Sequence, residues 1–210
     1  MSWLAKMHID HEVAASMRID LSDGYAWHQI AWQVFPGLDD QTRSFLWRLD
    51  SGTDGYKLLL LSKQHQPHRP NWCEEDCWAV KTISPEFLKL RHYRFDLRAN
   101  PTKCVPKIGA NGQPAKNGRR KPLTKLDEQN AWLQRKAADA GFKLIDAPDV
   151  GFCQDQVFRK HSGRGVHTAV RFKGILEVTD PSLFEAAFYQ GIGSAKGFGF
   201  GMLLLQPICL

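Results

Sequence analysis

The sequence predicts an α+β fold, and the order of its periodic segments is the first reason. The second half reads strand, helix, strand, strand, helix, strand, and the first half reads strand, helix, strand, strand. That order predicts two tandem ferredoxin-like (RRM-like, βαββαβ) domains, the first with a degraded second half. A chain of 210 residues with 43% hydrophobic content and seven tryptophans is long and apolar enough for two cores. The expected division is 1–88 and 89–210, with the boundary near residues 84 to 91.

Each element has its own signal. Leu4 to Glu12 alternates apolar and polar residues, as a strand does. Ser22-Asp23-Gly24 is a helix start, and from Tyr25 to Phe35 residues Trp27, Ile30, Ala31 and Val34 recur at helical spacing. Pro36-Gly37 breaks that helix, and Phe45, Leu46 and Leu49 predict a second helical piece over Asp39 to Leu49. Tyr56 to Ser62 and Cys77 to Ile83 complete the first unit as strands. His92 to Ala99 alternates again and stops at Asn100-Pro101. Residues 102–122, rich in glycine, proline and basic residues, are expected to form a mobile loop. Leu126 to Ala140 is an amphipathic helix closed by Gly141. Two strand regions follow, roughly Phe142 to Lys160 with interruptions and Val166 to Val178. Asp180 caps a helix with Pro181 at its first position, running to Tyr189. A strand from Phe198 to Gln206 ends the pattern.

Between that helix and that strand lies a loop of five glycines (191, 193, 197, 199, 201) around Lys196. Such a loop brings backbone close to a bulky anion. A Walker A loop needs Ser or Thr after its lysine, and Gly197 stands there; a dinucleotide loop needs the strand first. Lys196-Gly197-Phe198-Gly199-Phe200 does match the first five positions of the RNA-recognition signature. The chain, however, ends nine residues after Gly201, where such a motif would still have a helix and a strand to come.

The formal charge is +6, and its distribution is uneven. Leu97 to Leu126 holds eight Lys or Arg and no acid, Gln156 to Leu176 holds five and no acid, and no acid follows Glu185. A polyanion partner fits this distribution. Five scattered cysteines and the lack of a signal peptide or an apolar run of ~18 residues point to a reducing cytoplasm, with no membrane partner.

Three constellations could carry chemistry. Tyr25 and His28 share one helical face at the border of the packed stripe, where an imidazole can take or give a proton near neutral pH. The run Arg159 to His167 reads as a hairpin with a basic tip, narrow enough to meet a nucleic-acid groove or stem end. His65, His68, Cys73 and Cys77 could hold zinc, against which stand their irregular spacing and the acids at 74 to 76. No acidic cluster suited to magnesium stands out, so no cofactor is expected.

Taken in order, Tyr25-Ala-Trp-His28 with Trp32 and Phe35-Pro36, Phe95-Asp-Leu-Arg-Ala-Asn-Pro101, Ala131-Trp-Leu-Gln-Arg-Lys136 and Gln190-Gly-Ile-Gly-Ser-Ala-Lys196 resemble the CRISPR repeat-processing endoribonucleases of type I-E (Cascade) systems. The resemblance spans nearly the whole chain. It implies tandem ferredoxin-like domains that bind the repeat RNA hairpin, cut at its 3′ base without metal, retain the product and join the other Cascade subunits. It places the catalytic roles on His28 and Tyr25. RNA binding falls on Arg159, Lys160 and Arg164 of the hairpin, on Gly193, Lys196 and Gly197 of the glycine loop, and on Arg119, Arg120 and Lys121. The competing expectation from another class is a non-catalytic RNA-binding scaffold, with Phe198 and Phe200 as base-stacking platforms.

Overall fold

The computed structural model describes residues 1–17, 20–38, 44–106, 118–152, 155–160 and 163–209, with the backbone alone at 152, 160, 163 and 164. It is a mixed α+β fold with several antiparallel sheets. In chain order the first half comprises β1 (Ser2–Ile9), α1 (His11–Ser16), α2 (Gly24–Gln33), β2 (Phe45–Gly52), β3 (Gly55–Ser62) and β4 (Trp78–Ile83). A 3-10 turn at Pro85–Leu88 leads on to β5 (His92–Ala99), β6 (Thr102–Val105) and β7 (Arg119–Pro122). Then come α3 (Leu126–Asp139), β8 (Phe142–Leu144), β9 (Asp149–Phe152), β10 (Gln156–Lys160), β11 (Gly163–His167), β12 (Val170–Val178), α4 (Pro181–Gln190), a 3-10 turn at Lys196–Phe198 and β13 (Leu203–Pro207).

Two sheets dominate. One has the order β2-β3-β1-β4 and the other β13-β5-β12-β8, with β9 also paired to β12. The helices α1, α2 and α4 start at aspartates whose carboxylates satisfy orphan amides. The Asp23 carboxylate accepts the Tyr25 N–H at 2.9 Å at the start of α2, and Asp180 accepts from Ser182 and Leu183 at the start of α4. The first turn of α3 carries Asp127 and Glu128 and its last turn Lys136, the charges its dipole favours.

The segment expected as a helix over Asp39 to Leu49 is instead the strand β2 from Phe45 onward; residues 39–43 lie outside the described residues. The reason is that β2 is covered on both faces. Phe45, Trp47 and Leu49 enter the first-half core with Trp27, Ile30 and Leu60, whereas Leu46 enters the second-half core with Phe95 and Leu97. A strand buried on both sides shows a continuous apolar run, which periodicity alone cannot separate from a helix. The expected mobile loop at 102–122 is also corrected at its ends: β6 and β7 pair from Thr102↔Pro122 to Val105↔Arg119. Its middle, 107–117, lies outside the described residues.

The side chain of Arg48, between Trp47 and Leu49, crosses from β2 to the second sheet. It is fully buried, with Nε 2.9 Å from Asp50 and Nη1 3.0 Å from the Asp96 carboxylate on β5. Arg171 on β12 closes on the same carboxylate, with Nε at 2.9 Å from Oδ1. Burial alone would raise the Asp96 carboxyl; the hydrogen bonds from Arg171 and Arg48 outweigh it and hold the group below the usual carboxylate range. On the outer side, Arg91 and Lys143 hold the Glu177 carboxyl down to about 2 by their hydrogen bonds.

Candidate active site

His28 lies on α2, one turn beyond the buried Gly24 and beside the packed stripe of Ala26, Trp27, Ile30 and Ala31. Its ring is half-buried, and both of its nitrogens are engaged. The Trp32 indole, a donor only, gives its N–H to Nε2 at 3.0 Å. Nε2 is therefore the acceptor, and Nδ1 carries the proton that it donates to the Gly197 carbonyl at 2.9 Å. The ring is thus held as the neutral Nδ1–H tautomer, with its single lone pair at Nε2. Trp32 is fixed in turn by an edge contact with Phe45, centroids 5.0 Å apart. Tyr25 stacks beside His28 at 5.8 Å with an interplanar angle of 27° and is 39% exposed.

Across 169 residues of sequence, His28 therefore touches the glycine loop. That loop follows the helix end at Gly191 and is shaped by close approach. Gly193 has φ +84°, and a Cβ there would stand 2.9 Å from the Trp132 ring; at Gly199 it would stand 2.7 Å from Trp47. Gly193→Ala is therefore expected to destabilise the fold by about 2 kcal/mol through combined backbone strain and overlap, read as a lowered denaturation midpoint. The loop is not an open nest of donors along its whole length. The N–H groups of Gly191, Ile192, Phe198, Gly199 and Gly201 all serve carbonyls of this chain.

The hairpin β10–β11 docks on the other side of the same helix start. Asp23, besides capping α2, accepts the Arg159 N–H at 3.1 Å, and the Arg159 guanidinium pairs with Asp20. Asp20 is held below the ordinary carboxylate range by Ser22 first and Arg159 second. An exposed pair of this kind adds little to stability, so a phosphate can take Arg159 from Asp20 at little cost. The side chains of Lys160 and Arg164, and the tip residues His161 and Ser162, lie outside the described residues. At the hairpin root, Phe158 stacks on His167 at 4.6 Å and meets Phe198 at 4.7 Å, while Asn100 Nδ2 lies 3.1 Å from His167 Nδ1.

The aromatics of the glycine loop correct one expectation. Phe200 is fully buried under Arg98, and Phe198 packs against Phe158 and His167. Phe200 therefore cannot serve as a platform for a base, and Phe198 is committed to joining hairpin and loop. Trp32, Asp23, Asn100 and Phe158 are site residues to which sequence reasoning gives no role in the site, the first three entering it only as motif or helix-start positions. Only Trp32 carries a usable signal, four residues after His28 and hence on the same helical face.

A cleft of about 570 Å³ separates the hairpin from the glycine loop, with Arg120 and Lys196 in its wall beside Phe158, Val166 and His167. Arg119, Arg120 and Lys121 are all exposed on β7, and Arg120 is the one of the three that lines this cleft. Among the described residues no three of His, Cys, Asp and Glu converge as metal ligands, so His65, His68, Cys73 and Cys77 do not form the tetrahedral set that their spacing allowed. Among the described residues, too, no helix is long and apolar enough to cross a membrane.

A family model described as "CRISPR associated protein" matches residues 2–207. The chain is 30% identical to the CRISPR-associated endoribonuclease Cse3 of Thermus thermophilus, covering 98% of this chain and 100% of that protein. It is 32% identical to the CRISPR system Cascade subunit CasE of Escherichia coli K12, over 89% of this chain and 93% of that one. The solved structure of Thermus thermophilus Cse3 bound to an RNA representing a pre-cleavage complex is similar, with a TM-score of 0.73, 30% identity and coverage of 98% and 99%. Escherichia coli Cas6e is similar with a TM-score of 0.71 and 27% identity, covering 99% and 100%.

Proposed function

This chain belongs to the CRISPR-associated protein family, and on that premise we propose that it is an endoribonuclease that binds and cuts the stem-loop of CRISPR precursor RNA repeats. One observation supports the site most directly: the Nδ1–H of His28 on α2 is bound to the Gly197 carbonyl, so the Tyr25/His28 face and the basic glycine loop form one surface. The orders β2-β3-β1-β4 and β13-β5-β12-β8 support a reading as two ferredoxin-like domains, 1–88 and 89–210, the first lacking its second helix.

The RNA's own 2′-hydroxyl is the nucleophile. Its oxygen forms a bond to the adjacent phosphorus while the bond from phosphorus to the 5′-oxygen breaks, leaving a 2′,3′-cyclic phosphate (or, after hydrolysis, a 3′-phosphate) and a 5′-hydroxyl. As general base, His28 exchanges the Trp32 N–H at Nε2 for the 2′-hydroxyl and takes its proton while the departing 5′-oxygen takes one from solvent water. As general acid, it gives the 5′-oxygen its proton and water takes that of the 2′-hydroxyl. Tyr25, stacked beside it, orients that hydroxyl or the scissile phosphate. The cations Lys196, Arg159, Lys160 and Arg164 hold the backbone and spread the charge of the phosphorane. General-base catalysis contributes ~10²- to 10⁴-fold. Holding the 2′-oxygen in line must supply most of the remainder. Because the nucleophile belongs to the substrate, the step requires no metal. The product guide RNA stays bound, and the protein acts in the cytoplasm as a subunit of the Cascade surveillance complex.

Incubation of the purified chain with repeat hairpin RNA in EDTA tests this reading. Discrete cutting at the 3′ base of the stem with cyclic-phosphate and 5′-hydroxyl ends is expected. An RNA with a 2′-deoxy nucleotide just upstream of the scissile phosphate is expected to be bound uncut. Cleavage of that deoxy RNA, or activity lost in EDTA and restored by Mg²⁺, would overturn the mechanism.

A further inference from the structure

A second, larger cleft also borders the glycine loop, sharing Gly193, Ser194 and Lys196 with the cleft beside the hairpin. It measures about 760 Å³ and runs between α3, α4 and the β6–β7 ribbon. Among the described residues five cations line it, Lys103, Arg120, Arg135, Lys136 and Lys196, with the carboxylate Asp139; Lys103 is paired with Glu128 at 2.7 Å. Asp139 is itself answered by Lys136, which holds its carboxyl below the ordinary range by a 2.8 Å hydrogen bond. Arg120 and Lys196 also line the cleft beside the hairpin, so the two clefts form one cationic track over the glycine loop.

We propose that this α3/α4 cleft is a second RNA-binding site, which takes the phosphate backbone of the single strand running on from the repeat hairpin. The inference rests on the endoribonuclease reading given above. A space of this size admits a short stretch of phosphate backbone. Its one lining indole, Trp132, is buried beneath Gly193 and offers no face to a base. Recognition there is by charge and is indifferent to sequence, with the salt dependence that counterion release imposes. The site explains the position of Arg135, exposed on α3 and outside the catalytic surface. It also gives the loop glycines a second purpose, since the strand leaving the reactive phosphate must pass over them.

The test compares Arg135→Ala and Arg135→Glu with the natural chain on two non-cleavable 2′-deoxy RNAs, the bare hairpin and the hairpin with single-stranded flanks on both sides. Dissociation constants are measured across a salt titration. With the flanked RNA, the alanine variant is expected to lose part of the affinity and the glutamate variant about tenfold, with the salt slope reduced by about 0.7 for each phosphate that is no longer neutralised. The bare hairpin is expected to bind both variants as before, and the cleavage rate of saturating all-ribose RNA is expected to be unchanged. Equal weakening with both RNAs would place the stem in the cleft and overturn the proposal, as would unchanged affinity for the flanked RNA. If the natural chain binds neither RNA, the endoribonuclease reading itself fails, an outcome distinct from both.

Discussion

His28→Ala is expected to leave hairpin binding within a few-fold of the natural chain while lowering the single-turnover cleavage rate by at least ~10²- to 10⁴-fold. The substitution removes the imidazole lone pair beside Tyr25. It also leaves the Trp32 N–H and the Gly197 carbonyl without their present partner, and an unanswered buried polar group costs about 1–3 kcal/mol. A rate loss could therefore arise from a displaced glycine loop. His28→Gln separates the two: its amide can still donate to Gly197, and it cannot act as a base near neutral pH. Both variants are expected to bind and neither to cut. Recovery of cleavage by glutamine, or loss of binding in both variants, would assign His28 a structural role.

Asp96→Asn is expected to lower the stability of the fold by about 2 kcal/mol, because it removes the carboxylate that the fully buried Arg48 shares with Arg171 and leaves Arg48 with Asp50 alone. Arg48 already carries one nitrogen, Nη2, with no acceptor among the described residues. The same carboxylate gives a pH signature. Its folded-state value lies below the unfolded value of about 3.9, so its stabilisation is complete above that value and is lost as pH falls through the folded one. Urea unfolding of the natural chain is thus expected to show stability falling below about pH 4, and the asparagine variant a shallower fall over the same range. Identical pH slopes for the two proteins would show that Asp96 does not carry this effect. Since Arg48 ties β2 to β5 and β12, the variant also tests whether the two sheets depend on this cluster to stay in register.

Much of the architecture is legible because local signals agree with tertiary demands. The Asp23 cap with the Trp27, Ile30 and Ala31 stripe reads as α2, and Asp180-Pro181 reads as the start of α4. The alternation from His92 to Ala99 reads as β5. β2 is not legible, because a strand between two cores loses the period of two that marks a half-exposed one. The β6–β7 ribbon is hidden for a different reason. Its strands, Thr102–Val105 and Arg119–Pro122, bury little and are short and basic, so their composition is that of a loop.

The sequence by itself determined which residue types could act: a tyrosine and a histidine on one helical face, a basic hairpin, and glycines around Lys196. Their order along the chain also carried the family resemblance. Tertiary structure decided how these pieces meet. Only the fold brings Gly197 onto His28, fixes the histidine tautomer through Trp32, turns Phe200 inward, and joins Arg48 to Asp96. The reason is that helix and strand signals are local, arising from caps and spacing within a few residues. A hydrogen bond across 169 residues depends on how separately formed elements pack, and no local pattern records that.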